Sequence, residues 1–329
     1  MTFSVAITTY NRPSNLETLV GQVQACTTIP NAILVIDSSD QINETMRTRK
    51  DITYLRSSHK NQPYQRYLAY LACTTDIIIF LDDDLEIIDF SVFDAMMAEL
   101  EKAGIAGVSV GFVHHNTIQS KIEGNLNNHS VMFKLVNFIS GVPILPPGGI
   151  RLAGLAGSRP TKPGRVDYFN GAVMAFYRSE LIDMYDPILF SLFEEKLGMG
   201  EDKIISMRIG LKKILWYLPQ SYFLHPPVAS NYFVDFESFQ KKTTYSRLYI
   251  SIVYGRLKKI PLIFIYLHFY YFIFWRFAFS FLRWMFRPSQ QNSQWLTGVA
   301  KGIIFSFTKT FGMNSSGIDW QKDAAQDIS

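Results

Sequence analysis

Three consecutive carboxylates, Asp82-Asp83-Asp84, follow the apolar run Ile77-Ile78-Ile79-Phe80-Leu81. Such a run suits a strand buried on both faces of a parallel sheet. The acids at its end cannot be buried unpaired, because an isolated buried anion costs on the order of several kcal/mol. They must meet water, a cation or a metal ion. Open α/β sheets bind ligands beyond the carboxyl ends of their strands, where these acids stand. Alternate strand residues point the same way, which places Asp82 and Asp84 to share one ion. A hard divalent cation, Mg²⁺ or Mn²⁺, suits that pair and usually also holds substrate phosphates. Taken alone, the triplet is equally served by a solvated acidic turn.

The surrounding elements must deliver that strand end. Residues 3–9 read as a first buried strand, 14–25 as a helix capped by Ser14 or Asn15, and 32–36 as a second strand ending at Asp37. A weak strand at 53–56, a helix over 64–74 and the central strand follow. This alternation predicts an α/β fold with a mostly parallel sheet and helices on both faces. Further on, 89–102 reads as a helix and 104–113 as a strand. Residues 114–165 read as a long loop able to cover a ligand. His114 and His115 have no spaced acidic or cysteine partner and read as surface residues. Residues 166–176 read as a strand pair or edge passing through Asn170-Gly171-Ala172. A helix begins at 180–184, another covers 203–209 after Gly200-Glu201-Asp202, and 215–218 is a last short strand before His225.

Together these residues resemble glycosyltransferase family 2: Thr8-Thr9-Tyr10-Asn11-Arg12, Asp37, Arg66, the aspartate triplet, Asn170-Gly171, Gly200-Glu201-Asp202 and His225, in that order. The resemblance covers roughly residues 3–227 and implies the GT-A fold, a Rossmann-like nucleotide-diphospho-sugar transferase, and an inverting reaction. It implies a nucleotide-sugar donor, with a UDP-sugar favoured, held by Thr8, Tyr10, Arg12, Asp37, Arg66, Asp82 and Asp83. A guanidinium at Arg66 suits a diphosphate by charge and fork geometry. Asp84, Asp82 and His225 are the implied ligands of Mn²⁺ or Mg²⁺, and Asp202 is the candidate general base for an acceptor hydroxyl. Asn170, Gly171 and Glu201 fall on the acceptor side. Glu201 and Asp202 also suit a helix N-terminus, which negative charge stabilises. Asn61-Gln62-Pro63, Tyr67 and Ala69 depart from the family pattern. The Gln-x-x-Arg-Trp signature of processive members is missing, since Ser280 stands where Arg283-Trp284 would need the Gln. Addition of a single sugar follows.

The chain of 329 residues has room for a large core. Cys26 and Cys73 lack metal spacing and read as buried free thiols of a reducing compartment. The first residues show no leader pattern. Charge is unevenly placed: residues 238–318 hold 11 Lys or Arg and no Asp or Glu, leaving the remainder acidic. Within them, 260–286 is dense in rings, with Arg276, Arg283 and Arg287 on one helical face. This suits a helix in the interface of an anionic membrane, with companion helices at 248–253 and 295–307. A single span with Arg276 snorkelling, or a homodimer interface covering the rings, stay open. The apolar density argues against nucleic acid. The expected domains are a catalytic unit over 1–235, a basic aromatic membrane-associating helical region over 236–318, and a disordered tail over 319–329. The expected activity is metal-dependent transfer of one sugar to a hydroxyl of a lipid-linked or polysaccharide acceptor, at the cytoplasmic membrane face, in cell-envelope glycan synthesis. Two alternatives stand beside it: a polyprenyl-phosphate glycosyltransferase, and a non-catalytic membrane-bound scaffold that binds metal.

Overall fold

A computed structural model describes residues 1–114, 138–139, 145–225, 235–308 and 317–329. His115, most of the expected loop, and Pro226-Pro227 lie outside the described residues. The strands are β1 (Phe3–Thr9), β2 (Ala32–Asp37), β3 (Thr53–Arg56), β4 (Ile77–Asp82), β5 (Glu86–Ile87), β6 (Ile105–His114), β7 (Ile150–Arg151), β8 (Leu155–Ala156), β9 (Gly164–Val166), β10 (Val173–Tyr177) and β11 (Ile214–His225). Nine of them form one sheet in the order β3-β2-β1-β4-β10-β6-β11-β5, with β9 on β11. β1, β2, β3 and β4 pair in parallel, while β10 runs antiparallel between β4 and β6. The result is a mixed, mostly parallel GT-A sheet. β4 is central, and Ile77 to Leu81 are at most 1% exposed, as their unbroken apolar run requires.

The helices are α1 (Pro13–Gln24), α2 (Glu44–Arg47), α3 (Gln62–Ala72), α4 (Val92–Leu100), α5 (Pro187–Glu194), α6 (Glu201–Gly210), α7 (Phe236–Leu257), α8 (Leu262–Phe286), α9 (Gln290–Thr308) and α10 (Trp320–Ile328). α1 and α4 bury Leu16, Leu19, Val20, Phe93 and Met96 on one face of the sheet. α3, α5 and α6 bury Tyr64, Leu68, Phe190, Ile205 and Ile209 on the other. Parallel register then lines up the strand ends: Thr8 sits opposite Asp82, and Thr9 opposite Asp37.

Four expectations need correction. The segment 166–176, expected as a strand pair or edge, is split between two strands that do not pair with each other: β9 ends at Val166 and pairs with β11, and β10 is interior. At 180–184 there is only a 3₁₀ turn, Arg178–Glu180; the helix starts at Pro187, with the Asp186 side chain accepting from Leu189 N–H at 2.9 Å. The last strand is far longer than 215–218, because register shifts around Pro219 let it bend and keep pairing with β6. Finally, the tail is ordered. Asp319 caps α10 by accepting from Lys322 N–H at 3.2 Å. Trp320, 1% exposed, packs on the rings of His59, Tyr64 and Phe190. Asp327 accepts from Tyr64 Oη and Ser58 N–H, both at 3.0 Å.

The C-terminal helices are fastened to the sheet domain. Tyr245, Tyr249 and Ile250 of α7 pack with Leu189, Ile204 and Met207, and Tyr249 Oη donates to Asp186 at 2.7 Å. α9 lies close on α7 at Gly298 and Gly302, where a Cβ would come within 2.3 Å of Glu237 O and 2.6 Å of Thr244 Cβ. α8 packs Ile265, Phe269, Phe272 and Ile273 on α7 and the β7–β8 turn. Its other side exposes Leu262, Phe264, Leu267, Phe274, Phe281 and Phe286. Among the described residues it is the one helix long and apolar enough to cross a membrane. Of the three arginines expected on one outward face, Arg283 and Arg287 are exposed and Arg276 turns inward. Arg276 donates to Gln240 of α7, and the Arg283 guanidinium lies 5.6 Å from the Trp295 ring centroid on α9.

Candidate active site

At the tip of β4 the three aspartates part company. Residues 83 and 84 form a turn, so the strand's alternation stops and the period-two argument with it. Asp83 turns inward, 6% exposed. It accepts from Thr9 Oγ1 at 2.7 Å, Arg12 Nη1 at 2.7 Å and Tyr10 N–H at 3.4 Å. Burial pushes its carboxyl up, against the pull of Thr9 and Arg12. Asp83 thus holds the 8–12 loop in place from behind. Asp84 takes Arg12 Nη1 on Oδ2 at 3.0 Å and faces His225 Nε2 with Oδ1 at 3.4 Å. Asp82 accepts on Oδ1 from Arg66 Nη2 and Gln62 Nε2, each at 2.9 Å. Asp82 and Asp84 therefore take separate partners.

Arg66 is the deepest charge in this group, 1% exposed. Its guanidinium bridges Asp82 and Glu201, the latter through Nη1 at 2.9 Å. That placement corrects the expectation of an arginine facing a diphosphate: it stands beneath the acids. Glu201 is likewise interior, its carboxyl pushed up to about 7 by burial, which outweighs Arg66. Asp37, 1% exposed, is also closed off. It accepts from Tyr54 Oη at 2.5 Å and from Ser39 N–H at 2.7 Å, with Arg56 Nη1 at 3.4 Å. A removed charge–hydroxyl–guanidinium network of this kind positions a loop; it does not present a free carboxylate.

Two clefts flank the acidic tip. One, of about 670 Å³, is lined by Thr8, Thr9, Tyr10, Asn11, Arg12, Lys60, Gln62 and Asp83. The other, of about 860 Å³, is lined by Asp82, Tyr168, Asn170, Gly171, Asp202, Lys203, Arg159 and His225. Asp202 sits in the first turn of α6, behind Gly200, whose φ of +78° starts the helix from the left-handed region. Gly171 has φ +38°, and a Cβ there would stand 3.2 Å from Asp202 Oδ2. Only glycine gives the carboxylate that room. Ser206 Oγ ties the two segments, donating to Asp202 O at 2.6 Å and accepting from Phe169 N–H at 2.8 Å.

Gln62, Lys203, Arg159 and Tyr168 escaped the sequence reading. Lys203 follows Asp202 directly and stands 5.6 Å from the Tyr168 ring centroid, its ammonium pushed down by burial. Its adjacency to Asp202 was the available signal. Gln62 lay in a departure from the family pattern, and nothing in the order of residues marks Arg159.

Among the described residues, no cluster of three or more His, Cys, Asp or Glu could by itself hold a metal ion. The donor set nonetheless fits a divalent cation that takes its remaining ligands from substrate and water. Asp84 Oδ1 is buried without a hydrogen bond, and it faces an imidazole nitrogen. Buried carboxylate oxygens are rarely left so.

In open α/β sheets ligands bind beyond the carboxyl ends of the strands, where these acids and the two clefts stand. Residues 4–151 match the family model described as glycosyl transferase family 2; this part of the chain is a glycosyltransferase domain of that type. The scaffold alternative falls with that match. Similar solved structures include S. aureus TarS 1–349, at 14% identity and TM-score 0.53, covering 100% of this chain and 88% of that one. The same fragment in complex with UDP-GlcNAc gives 12% identity and TM-score 0.52, over 92% and 81%. At such identities the likeness concerns the fold. No curated protein matches the sequence.

Proposed function

We propose that this glycosyltransferase moves one sugar from a UDP-sugar to a hydroxyl of a lipid-linked or polysaccharide acceptor, inverting the anomeric centre, in cell-envelope glycan synthesis. One observation carries the reading: the aspartate tip divides a cleft built by Thr8, Tyr10 and Arg12 from one holding Asn170, Gly171, Asp202 and His225. A donor spanning the tip has its nucleoside on the first side and its sugar on the second. TarS, of similar fold, was solved with UDP-GlcNAc, which supports a UDP-sugar.

In this reading Asp202 accepts the proton of the acceptor hydroxyl as its oxygen attacks the anomeric carbon and the bond to the nucleoside diphosphate breaks. Gly171 and Ser206 hold that carboxylate in position, and Asn170 orients the acceptor. Arg66 and Glu201 brace Asp82 and α6 from below, and Asp37 and Asp83 fix the loops of the nucleoside side. Asp84, His225 and Asp82 would hold Mg²⁺ or Mn²⁺, which supplies positive charge against the departing diphosphate. The exposed apolar side of α8 rests in the interface of the cytoplasmic membrane face, with the rings in the acyl boundary. Arg283 and Arg287, exposed near the end of α8, meet the anionic head groups, while Arg276 turns into the helical layer.

Asp202→Asn tests the base. It keeps the shape and removes the proton acceptor, so kcat for a hydroxyl acceptor falls about 10²–10⁴-fold with the donor KM unchanged. Near-full activity would instead favour the polyprenyl-phosphate reading, where the acceptor arrives already ionised.

A further inference from the structure

The helical layer contains a group of polar side chains that the catalytic account does not use. Gln240, Thr244 and Arg247 recur at helical spacing on α7 and so share one face. Arg276 reaches them from α8, donating through Nη2 to Gln240 Oε1. Four donor atoms in this group are sealed from solvent without a hydrogen-bond partner: Gln240 Nε2, Thr244 Oγ1, Arg247 Nε and Arg276 Nε. Arg247 also donates through Nη1 to Ala153 O at 2.8 Å, and its guanidinium lies 5.6 Å from the Phe272 ring centroid. Among the described residues neither guanidinium has a carboxylate partner. Burial pushes both down, and Arg247 adds like-charge repulsion on Arg276.

Two unpaired cations brought together in a desolvated layer are expensive, and the natural remedy is an anion. Unfilled N–H and O–H donors beside guanidiniums define a receptor for an oxyanion; carboxylates are recognised the same way, but four donors around two charges suit a phosphoryl group best. We propose that Gln240, Thr244, Arg247 and Arg276 form a phosphate-binding site, and that its occupant is the phosphoryl group linking the acceptor to its lipid.

Two further observations place this anion with the acceptor. Arg247 acts on Lys203 as a like charge, and Lys203 also feels Asp202. Lys203 lines the acceptor cleft beside Asp202, so positive charge continues from the helical layer to the candidate base. In the other direction, Arg276 is flanked on α8 by the exposed rings of Phe274 and Phe277, a surface suited to a lipid chain. The inference rests on the glycosyl-transfer reading for its substrate, but phosphate binding is measured independently of turnover.

Isothermal titration of the full chain in detergent micelles, with EDTA present to exclude metal-held diphosphate in the donor cleft, tests it with pyrophosphate and with farnesyl diphosphate. Both should bind, farnesyl diphosphate at least about tenfold tighter, and Arg276→Met and Arg247→Gln should each weaken both by about tenfold or more. Asp84→Ala should bind both anions like the parent chain, so failure of the transfer reading would leave this result standing. Equal affinity for the two ligands would overturn the lipid assignment in favour of a water-soluble phosphate. Absence of binding, or affinities unmoved by both arginine variants, would overturn the site. So would Arg276→Met that raises the thermal midpoint in a chain indifferent to either anion, the behaviour of a merely structural buried charge.

Discussion

Gly171 and Asp202 show how one side chain's reach is set by another's absence. A Cβ at position 171 would meet Asp202 Oδ2 at 3.2 Å in a backbone with φ +38°. Gly171→Ala should therefore cost about 1 kcal/mol of stability and lower kcat more than it raises the donor KM; steady-state kinetics beside a melting curve separates the two effects. Glu201 offers a pH test. Its folded-state carboxyl lies near 7, above the unfolded value of 4.5, so the folded chain binds the extra proton between those values. Stability from this group is present at acid pH and is lost as pH rises toward 7. Relative to Glu201→Gln, the wild-type thermal midpoint should fall from pH 4.5 to 7 and stay level above; parallel profiles would contradict the shift. At this scale the sequence singles out acids without telling which of them are open. Asp82, Asp202 and His225 line a cleft, whereas Asp37, Arg66 and Glu201 are interior: Asp37 is closed off by Tyr54 and Arg56, which no motif singles out, and Arg66 and Glu201 pair with each other.

Elements with one strong local signal were legible. β1 and β4 fall where expected, since an apolar run bounded by polar residues leaves one solution. The interior place of β10 was not legible, because its partners β4 and β6 lie about 60 to 100 residues upstream in sequence and long-range pairing leaves no local trace. α10 was missed for a related reason: nine residues cannot hold a helix alone, and its stability comes from Trp320 docking between His59, Tyr64 and Phe190. Trp320→Ala should destabilise the chain by about 3 kcal/mol or more, visible in urea unfolding. A change within about 0.5 kcal/mol would show that the docked tail adds nothing.

Across the whole molecule, charge and apolar surface are segregated. Acids gather at the strand ends, while the helical layer is basic and turns one apolar face outward. The sequence disclosed that layer's composition but not the inward turn of one arginine: Arg276 packs on α7, while Arg283, Arg287 and the rings of α8 are exposed. Because α7 shares a core with α5 and α6, deleting the layer would uncover the catalytic unit. Point changes on α8 are the cleaner probe. Phe274→Glu with Phe281→Glu, at positions 62% and 43% exposed, should release the chain from vesicles containing anionic lipid while leaving its melting midpoint in place; retention on the vesicles would refute interfacial docking. The measurement closest to the central claim is UDP-sugar hydrolysis by Asp84→Ala with Mn²⁺ supplied. The account predicts a loss of about 10²-fold or more, because Asp84, facing His225 at the strand tip, would hold the cation whose charge offsets that of the departing diphosphate. Turnover equal to the parent chain's would contradict it.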